Sequence, residues 1–458
     1  MQPVVSVEEM KTFDAAALGT TEQSALIRRA GMAVGFAILK RFEGVSGTRI
    51  VVIAGPGSNG ADGRVAGTML ERRGAFVTVV APDAKPAAFL DAEIVIDAAF
   101  GTGLSRSYTA PTIPGDVPVV AVDVPSGLDG DTGALLGTPL QATLTVTMAA
   151  VKQGLLLGHG PGLCGEIVVA EIGIPVENPR SVVIDDADCA AIPERSRGAN
   201  KWSAGVCIVA GSPGMEGAGA LCSLGAMRAG SGMVRLVTVN EIGSSTLWPR
   251  DVVRREVFRN EIVPVALEES TRTKAMVIGP GLGLDEQTAA AIRELLIHRT
   301  GPVILDADGI TAVQNTTILR DLVAAAPHPV MITPHDGELA RLLGHDLAVD
   351  RRSTIQSLAD ETGVIVLSKG ATTLVVTPMS LAQPVYFVTS GTPALATAGT
   401  GDVLGGVIAA LAAQGVPLPL AGALGAFLHG KASAYAPGTL VASDLPNLVG
   451  DVMKEVVR

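Results

Sequence analysis

The chain has 458 residues, of which 48% are hydrophobic, 17% charged and only 3% aromatic, which excludes an intrinsically disordered chain and predicts more than one folded domain. Its formal net charge of −11 argues against nucleic acid or an anionic membrane surface as the main partner and favours a small metabolite. The 4 cysteines have no short paired spacing and no basic and apolar leader opens the chain, so we expect a protein of the reducing cytoplasm rather than a secreted disulfide framework.

Two helices are predicted before residue 42, because apolar residues recur there at helical spacing. The next segments predict a strand at 49–54, a helix at 64–73, and strands at 75–81, 94–100 and 117–124. This alternation is typical of β-α-β units in a parallel sheet. Ligands of such sheets bind at the carboxyl ends of the strands, where Asn59, Asp97 and Asp123 lie.

Oxygen donors occur near three of these strand ends, on Asn59, Asp97 and Ser126. Such a set can coordinate an alkali or alkaline-earth cation. Helix capping by Ser58 or Asn59, together with solvated carboxylates, explains the same spacing equally well. Both interpretations stay open at this point.

Four motifs in this half of the chain carry further information. They are residues 26–31 (Leu-Ile-Arg-Arg-Ala-Gly), 55–63 (Gly-Pro-Gly-Ser-Asn-Gly-Ala-Asp-Gly), 97–104 (Asp-Ala-Ala-Phe-Gly-Thr-Gly-Leu) and 122–129 (Val-Asp-Val-Pro-Ser-Gly-Leu-Asp). In this order they resemble the NAD(P)H-hydrate epimerase family, over about residues 5–173. The resemblance implies a Rossmann-like fold and interconversion of the R and S epimers of NADH and NADPH hydrated at ring carbon six.

The same resemblance implies specific site residues. For contact with the hydrate it implies Ser58, Asn59, Gly60, Ala61, Asp62, Gly101, Thr102, Gly103, Leu104, Ser105, Arg106, Ser107 and Asp123. It also implies a potassium ion held by Asn59, Asp97 and Ser126. We expect Asp123 to be catalytic, with a turn-capping role towards Ser126 and the next residue as the alternative.

Two residues depart from the family pattern, Ala61 in place of a glycine and Arg28 in place of an acidic residue. A left-handed backbone at Ala61 would strain an alanine by about 1 kcal/mol or more. These departures leave a non-catalytic binding module open as an alternative for the first domain.

A polar, irregular stretch at residues 178–201 predicts a boundary, with domains at 1–190 and 196–458. The pattern then restarts, with strands predicted at 205–211, 233–239, 275–279, 303–306, 330–333 and 364–367, and helices between them at segments such as 218–229 and 287–298. The second half is therefore predicted to be another α/β domain. An uncharged run at 404–430 contains Pro417 and Pro419, which leave pieces too short to span a membrane, so we expect buried helices there.

A glycine loop precedes an apolar helical stretch at residues 397–406 (Thr-Ala-Gly-Thr-Gly-Asp-Val-Leu-Gly-Gly). Backbone N–H groups and the helix dipole then converge on one anion-sized position. Asp402 beside it is the candidate base for phosphoryl transfer, and a first-turn helix residue that interacts with the dipole is the alternative. The sequence contains no Walker A pattern, which excludes a P-loop kinase.

Loops that follow the other predicted strands converge on the same cleft, at residues 211–218, 279–283, 306–308, 333–338 and 368–373. Together they resemble the ADP-dependent NAD(P)H-hydrate dehydratase family, which has a ribokinase-like fold, over about residues 196–457. The resemblance implies contact with the hydrate by Ala218, Gly281, His335 and Asp402, and adenine-nucleotide binding by Lys369, Gly370, Ala371, Thr372, Thr373 and Gly401. Judged singly, His335 could equally cap a helix and Lys369 could be a solvated loop residue.

Together the two resemblances imply a bifunctional repair enzyme, an isomerase and a lyase, which uses ADP and magnesium to dehydrate the S hydrate. Its partners would be hydrated NADH or NADPH and an adenine nucleotide, with no nucleic acid or membrane, and we expect a homo-oligomer. A ribokinase-like small-molecule kinase with a nucleotide-sensing first domain is the alternative. Product analysis separates the two.

Overall fold

The computed structural model describes residues 1–240, 249–299, 301–436 and 438–457. The chain divides into two compact units, Gln2–Ser181 and Val182–Arg458. The first unit thus ends before residue 190, because Val182, Ile184 and Cys189 are buried in the hydrophobic core of the second unit. Composition alone marks where the chain is polar and does not reveal which core these few apolar residues join.

The first unit contains ten strands and five helices, the bounds of which are β1 (Gln2–Val5), α1 (Val7–Leu18), α2 (Gln23–Arg41), β2 (Arg49–Ala54), α3 (Ser58–Glu71), β3 (Phe76–Val80), β4 (Ile94–Ala98), β5 (Tyr108–Thr109), β6 (Val119–Val122), β7 (Gly137–Thr138), β8 (Leu144–Met148), β9 (Val151–Lys152), α4 (Gln153–Leu156), α5 (Gly160–Leu163) and β10 (Glu166–Ala170). Six of the strands form a parallel sheet in the order β10-β8-β6-β4-β2-β3. β1 pairs in parallel with β9. The predicted parallel α/β sheet is confirmed.

The order of this sheet identifies where a ligand is expected. β2 has β3 on one side and β4 on the other, so the chain reverses its direction of travel across the sheet at β2. Ligands of doubly wound sheets bind at such a switch point, outside the carboxyl ends of the strands. The ends of β2, β4 and β6 therefore form the expected binding edge.

Helix α3 begins at Ser58, earlier than the predicted residue 64, so the glycine motif is mostly a helix start and not a loop. Gly57 precedes it with extended backbone, and the Ala61 N–H donates to the Gly57 carbonyl at 3.1 Å. A Cβ at Gly60 would lie 2.0 Å from the Gly55 carbonyl oxygen, and one at Gly63 would lie 2.4 Å from the Ala98 side chain. These glycines let α3 start in close contact with the end of the sheet.

The second unit contains the remaining elements, β11 (Ser181–Val183, at the division), β12 (Gly205–Val209), α6 (Glu216–Arg228), β13 (Met233–Val239), β14 (Val253–Val257), α7 (Ile262–Ser270), β15 (Ala275–Ile278), α8 (Glu286–His298), β16 (Val303–Leu305), α9 (Asp308–Ala312), α10 (Thr316–Ala325), β17 (Val330–Ile332), α11 (Asp336–Leu343), α12 (Arg351–Thr362), β18 (Ile365–Ser368), β19 (Thr373–Val376), β20 (Val385–Val388), α13 (Thr400–Ala413), α14 (Leu418–Ala434) and α15 (Leu445–Val456). Its sheet includes the order β14-β13-β12-β15-β16-β17-β18-β19-β20. The strands from β14 to β18 are parallel, and β19 and β20 are antiparallel.

The long uncharged segment forms α13 and α14, and both helices are buried in the second core, as predicted. Across the described ranges, none of the helices combines the length and hydropathy that a membrane span requires.

Candidate functional sites

A cavity of about 590 Å³ opens at the switch point of the first sheet. Most of the predicted hydrate contacts line it, namely Ser58, Asn59, Asp62, Gly101, Thr102, Gly103, Leu104, Ser105, Arg106 and Asp123. Gly60, Ala61 and Ser107 lie outside the lining in this unit, all of whose residues are described. Apolar side chains of α1 and α2, among them Leu26 and Ile27, form the opposite wall.

The two departures from the family pattern do not disturb this cavity. Ala61 lies in the first turn of α3, and it is not among the described residues with a left-handed backbone, so its alanine carries no φ strain. Arg28 is exposed on α2 and does not belong to the lining. The structural objection to catalysis in the first unit is therefore removed.

Asp123 follows β6 with a left-handed backbone, φ 68°, which turns the chain at the cavity. Its Oδ1 lies 2.6 Å from the Lys152 ammonium and accepts from the Thr147 hydroxyl and the Met148 N–H, each at 3.2 Å. Lys152 is only 1% exposed and also donates to the Met148 carbonyl at 2.6 Å. The alternative in which Asp123 caps the Ser126 N–H is wrong, because this N–H donates to Asp97.

Lys152 was missed by the sequence reasoning, although it lines the cavity. The available signal was a single lysine within an otherwise uncharged stretch at residues 142–165. A lysine at such a position must find a partner when it is buried, and Asp123 is that partner.

Asp62 is the second carboxyl group in this cavity, and it is 8% exposed. Its Oδ1 is buried and accepts no hydrogen bond from any described residue. Burial raises the pKa of Asp62 to about 8, and the charge of Asp123 adds to this rise. Asp14 of α1 also lines the cavity, and burial raises its pKa, which Lys152 opposes.

The predicted cation ligands Asp97 and Ser126 are in contact. The Ser126 hydroxyl donates to Asp97 Oδ1 at 2.6 Å, and the Ser126 N–H donates to Asp97 Oδ2 at 2.8 Å. Asp97 is 1% exposed, burial raises the pKa of its carboxyl, and none of the described cationic side chains pairs with it. Asn59 lines the cavity, and its Nδ2 is buried without a described partner. A half-turn of this amide would place its oxygen at this position beside Asp97 and Ser126, and such a set of oxygen donors fits a monovalent cation.

In the second unit, Asp306 after β16, Lys369 after β18 and the start of α13 come together. The Lys369 ammonium lies 2.9 Å from Asp306 Oδ1, and Asp306 is 2% exposed. A Cβ at Gly401 would lie 3.4 Å from the Lys369 ammonium. Burial alone would lower the pKa of Lys369, but the charges of Asp306 and Glu338 outweigh it and raise that pKa.

Asp402 lies in the first turn of α13, which begins after Gly399 with φ +89°. Burial raises the pKa of Asp402 to about 7, the charge of Asp306 adds to the rise, and Lys369 opposes it. A carboxyl group that titrates near neutrality is suited to accept a proton at physiological pH. The buried ring of His429 lies 2.9 Å from the carbonyl oxygen of Thr400 in the same turn of α13. Burial lowers the pKa of His429 to about 4, so this ring is neutral at physiological pH.

The predicted nucleotide segment, residues 369–373, follows β18 and leads into β19. The side chain of Arg351, from α12, donates to the backbone of this segment. The Arg351 guanidinium donates to the Lys369 carbonyl at 2.6 Å, to the Thr372 carbonyl at 3.0 Å and to the Ser368 hydroxyl at 2.8 Å. A Cβ at Gly370 would lie 2.7 Å from this guanidinium, so the arginine requires the glycine. The sequence reasoning missed Arg351, which lies far from the segment in the chain.

The predicted hydrate residues of this unit take different positions. His335 caps α11, since its Nδ1 accepts from the Gly337 N–H at 3.0 Å and from the Glu338 N–H at 3.3 Å, and the ring is largely exposed. The alternative that His335 caps a helix is therefore confirmed. Of the two ring nitrogens, only Nε2 remains available to a ligand. Ala218 and Gly281 are neighbours, because a Cβ at Gly281 would lie 2.9 Å from that of Ala218.

Comparison with known proteins gives matches in both units. A family model described as NAD(P)H-hydrate dehydratase matches residues 206–454, and one described as YjeF-related protein N-terminus matches residues 23–88 and 80–154. A bifunctional NAD(P)H-hydrate repair enzyme of Moorella thermoacetica is 34% identical over 94% of this chain and 92% of its own. The enzyme of the same name from Mycobacterium tuberculosis is 36% identical over 91% of this chain and 90% of its own.

Among solved structures, a ribokinase-like superfamily protein of Enterococcus faecalis has a TM-score of 0.51 at 20% identity, covering 62% of this chain and 99% of its own. At this identity the likeness concerns the fold alone, and it confirms the predicted ribokinase-like fold. The switch-point sheet of the first unit is Rossmann-like, as predicted. With relatives of this identity along almost its whole length, the chain belongs to the family of bifunctional NAD(P)H-hydrate repair enzymes.

Proposed function

We propose that the first unit interconverts the R and S epimers of hydrated NADH and NADPH, and that the second unit dehydrates the S epimer at the expense of ADP. The products are NADH or NADPH, AMP and phosphate. The observation that carries the proposal is that one chain contains two separate acid-base sites, the Asp123–Lys152 pair in a cavity and Asp402 beside the Asp306–Lys369 pair.

In the second unit, Asp402 accepts the proton of the ring hydroxyl. The oxygen of this hydroxyl attacks the terminal phosphorus of ADP, and AMP is the leaving group. The N–H groups at the start of α13 stabilise the charge on the transferred phosphoryl group. Phosphate is a better leaving group than hydroxide, and the ring nitrogen supplies the electron pair that expels it. Loss of the adjacent ring proton then restores the double bond.

Magnesium is proposed to bind together with ADP, through the phosphates of the nucleotide. Within the described ranges, no group of three or more His, Cys, Asp or Glu side chains could hold a metal ion. Mg²⁺ commonly binds through substrate phosphates with only one or two carboxylates, so the residues present fit an ion that arrives with ADP and neutralises its charge.

The proposal is tested by incubating the purified S hydrate with the protein and ADP. The absorbance of the reduced nicotinamide is expected to return, with one AMP and one phosphate formed for each NADH. Omission of ADP should abolish the reaction. A stable phosphorylated metabolite that accumulates without any recovery of NADH would support the kinase alternative and contradict the proposal.

The potassium ion is proposed at Asn59, Asp97 and Ser126, where it would neutralise a buried carboxylate. We expect epimerase activity to fall at least about tenfold when potassium is replaced by a bulky organic cation, with the dehydratase unaffected. Potassium should also raise the unfolding temperature of the wild type, because a ligand stabilises the state it binds, and should not do so in Asp97→Asn. Equal activity and equal unfolding temperature with and without potassium would contradict the site.

Arg351 is proposed to position the nucleotide segment. Arg351→Lys keeps the charge but loses the forked geometry that joins two carbonyls and a hydroxyl, so we expect KM for ADP to rise about tenfold, equivalent to about 1.4 kcal/mol of binding, with kcat changed less. Arg320→Lys on α10 makes the same change at an exposed site and serves as control. An unchanged KM for ADP in Arg351→Lys would exclude the positioning role.

The cytoplasm remains the proposed location, and the free, buried state of Cys164, Cys189, Cys207 and Cys222 is compatible with a reducing compartment. A homo-oligomer remains an expectation, which sedimentation velocity measures directly.

A further inference from the structure

The cavity of the first unit contains two carboxyl groups with opposite surroundings. Asp62 comes from α3 after β2, and Asp123 comes from the end of β6, so they reach the cavity from the two strands that flank β4. Neighbouring strands are about 4.8 Å apart, so the ends of β2 and β6 lie about 10 Å apart on either side of β4. Both side chains line the same cavity, so a ring bound in it can meet both carboxyl groups.

The partners of the two groups differ. Asp123 Oδ1 is held by the Lys152 ammonium at 2.6 Å and by two further donors. Asp62 Oδ1 is buried with no described donor, and no described cationic side chain forms an ion pair with Asp62. The other charged side chains in the lining are Asp14 and Arg106, and α2 packs on α3 through Gly31 at this point.

These surroundings make Asp62 the better proton donor of the two groups. Burial without a partner favours the neutral form of a carboxyl group, and an adjacent ammonium favours the ionised form. The pKa of Asp62, raised to about 8 by burial and then by the charge of Asp123, agrees with the geometry. A buried carboxyl group without a partner and a carboxyl group held by an ammonium are suited to act as acid and base on one substrate.

We propose that Asp62 is the general acid that works opposite Asp123 in epimerisation, an inference that rests on the proposed function of the first unit. Asp62 donates its proton to the hydroxyl of one epimer, the bond between ring carbon six and this oxygen breaks, and water leaves. The lone pair of the ring nitrogen forms a double bond to carbon six. A water molecule then adds to the opposite face and gives its proton to Asp123, which produces the other epimer.

The reaction is balanced and reversible. One proton leaves Asp62 with the departing water and one proton arrives on Asp123 from the entering water, so the total number of protons on the pair is unchanged. Binding of the opposite epimer runs the sequence backwards and restores the first state. The oxygen on carbon six is replaced by one from solvent in each event.

The test uses the full-length protein with Asp62→Asn, in which the amide can hydrogen-bond to the hydroxyl but cannot protonate it. We expect the epimerase kcat to fall at least about a hundredfold in both directions, with KM changed little and the dehydratase unchanged. Asp91→Asn, an exposed residue of the same unit, is the matched control. Asp62→Glu is expected to restore part of the rate, which a merely structural role would not require.

Two measurements on the wild type do not depend on the folding of a variant. In ¹⁸O-water, each epimerised product is expected to carry one solvent oxygen, and kcat/KM for epimerisation is expected to fall above about pH 8 as Asp62 ionises. Retention of more than about a tenth of the rate in Asp62→Asn, or epimerisation without oxygen exchange, would overturn the inference. A wild type that does not epimerise at all would instead contradict the proposed function.

Discussion

Replacement of Asp402 by asparagine is expected to lower the dehydratase turnover at least about a hundredfold while ADP binding is largely retained. The substitution keeps the volume of the side chain and removes only its capacity to accept a proton. The segment predicted to bind the nucleotide is held independently of Asp402, by Arg351. Measurement of kcat for the S hydrate and of ADP affinity by calorimetry on the same preparation separates the two effects.

The pH dependence of the wild type gives a second readout for Asp402. Its pKa is raised to about 7 by burial and by Asp306, so the ionised base is lost as the pH falls below 7. The dehydratase kcat/KM is then expected to fall about tenfold for each further pH unit. A rate that is flat from about pH 7 to pH 5 would exclude Asp402 as the titrating base.

Stability should change in the opposite direction to activity. The raised pKa means that the folded state prefers the protonated carboxyl, so the stabilisation that it provides is lost as the pH rises from the usual value of 3.8 to about 7. Asp402→Asn imitates the protonated form. It is expected to unfold at a higher temperature than the wild type at pH 8, and this difference should shrink as the pH falls towards 4.

Asp451→Asn on α15 is the matched control for Asp402→Asn, because it makes the same chemical change at an exposed position of the same unit. It should leave both turnover and pH profile unchanged. If Asp402→Asn keeps more than about a tenth of the wild-type turnover, the general-base role is wrong.

Asp123→Asn is expected to lower epimerisation at least about a hundredfold, because it removes the carboxylate that Lys152 holds at the cavity. The rate is measured as conversion of the R hydrate to the S hydrate in the absence of ADP, so that the dehydratase half does not consume the product. The dehydratase half of the variant should be unaffected, since it belongs to the other unit.

The unfolding temperature distinguishes catalysis from structure in this variant. Loss of one partner leaves the buried Lys152 without its ion pair, so some loss of stability accompanies Asp123→Asn. Thr147→Val removes another donor to the same carboxylate and acts as a structural control. An unchanged epimerisation rate with an unfolding temperature lowered by several degrees would show that Asp123 is structural only.

Strand patterns were predicted well because buried parallel strands are short runs of β-branched residues between turn signals. β2 and β13 have the predicted bounds, and the strand ends contain the predicted Asp97 and Asp123. The start of α3 was predicted too late, because a run of glycines near a helix start resembles a loop in sequence. Only packing against the Gly55 backbone distinguishes the two.

Residues that act across the fold could not be predicted in the same way. Lys152 reaches Asp123 through the pairing of β6 with β8, and Arg351, at the start of α12, reaches the predicted nucleotide segment that follows β18. Neither lies in a glycine-rich motif. The role of Lys152 depends on which strands become neighbours, and this order is set by the whole sheet. The role of Arg351 depends on how α12 packs against β18 and β19.

If one chain carries both activities in sequence, the pure R hydrate is the substrate that requires both of them. Incubated with the full-length protein, ADP and magnesium, the R hydrate is expected to be converted completely to NADH or NADPH, with one AMP for each molecule recovered. Asp123→Asn should slow this conversion to the uncatalysed rate of epimerisation, while the S hydrate is still converted at the wild-type rate. Full conversion of the S hydrate by the wild type, with the R hydrate left unchanged, would show that the first unit is not an epimerase.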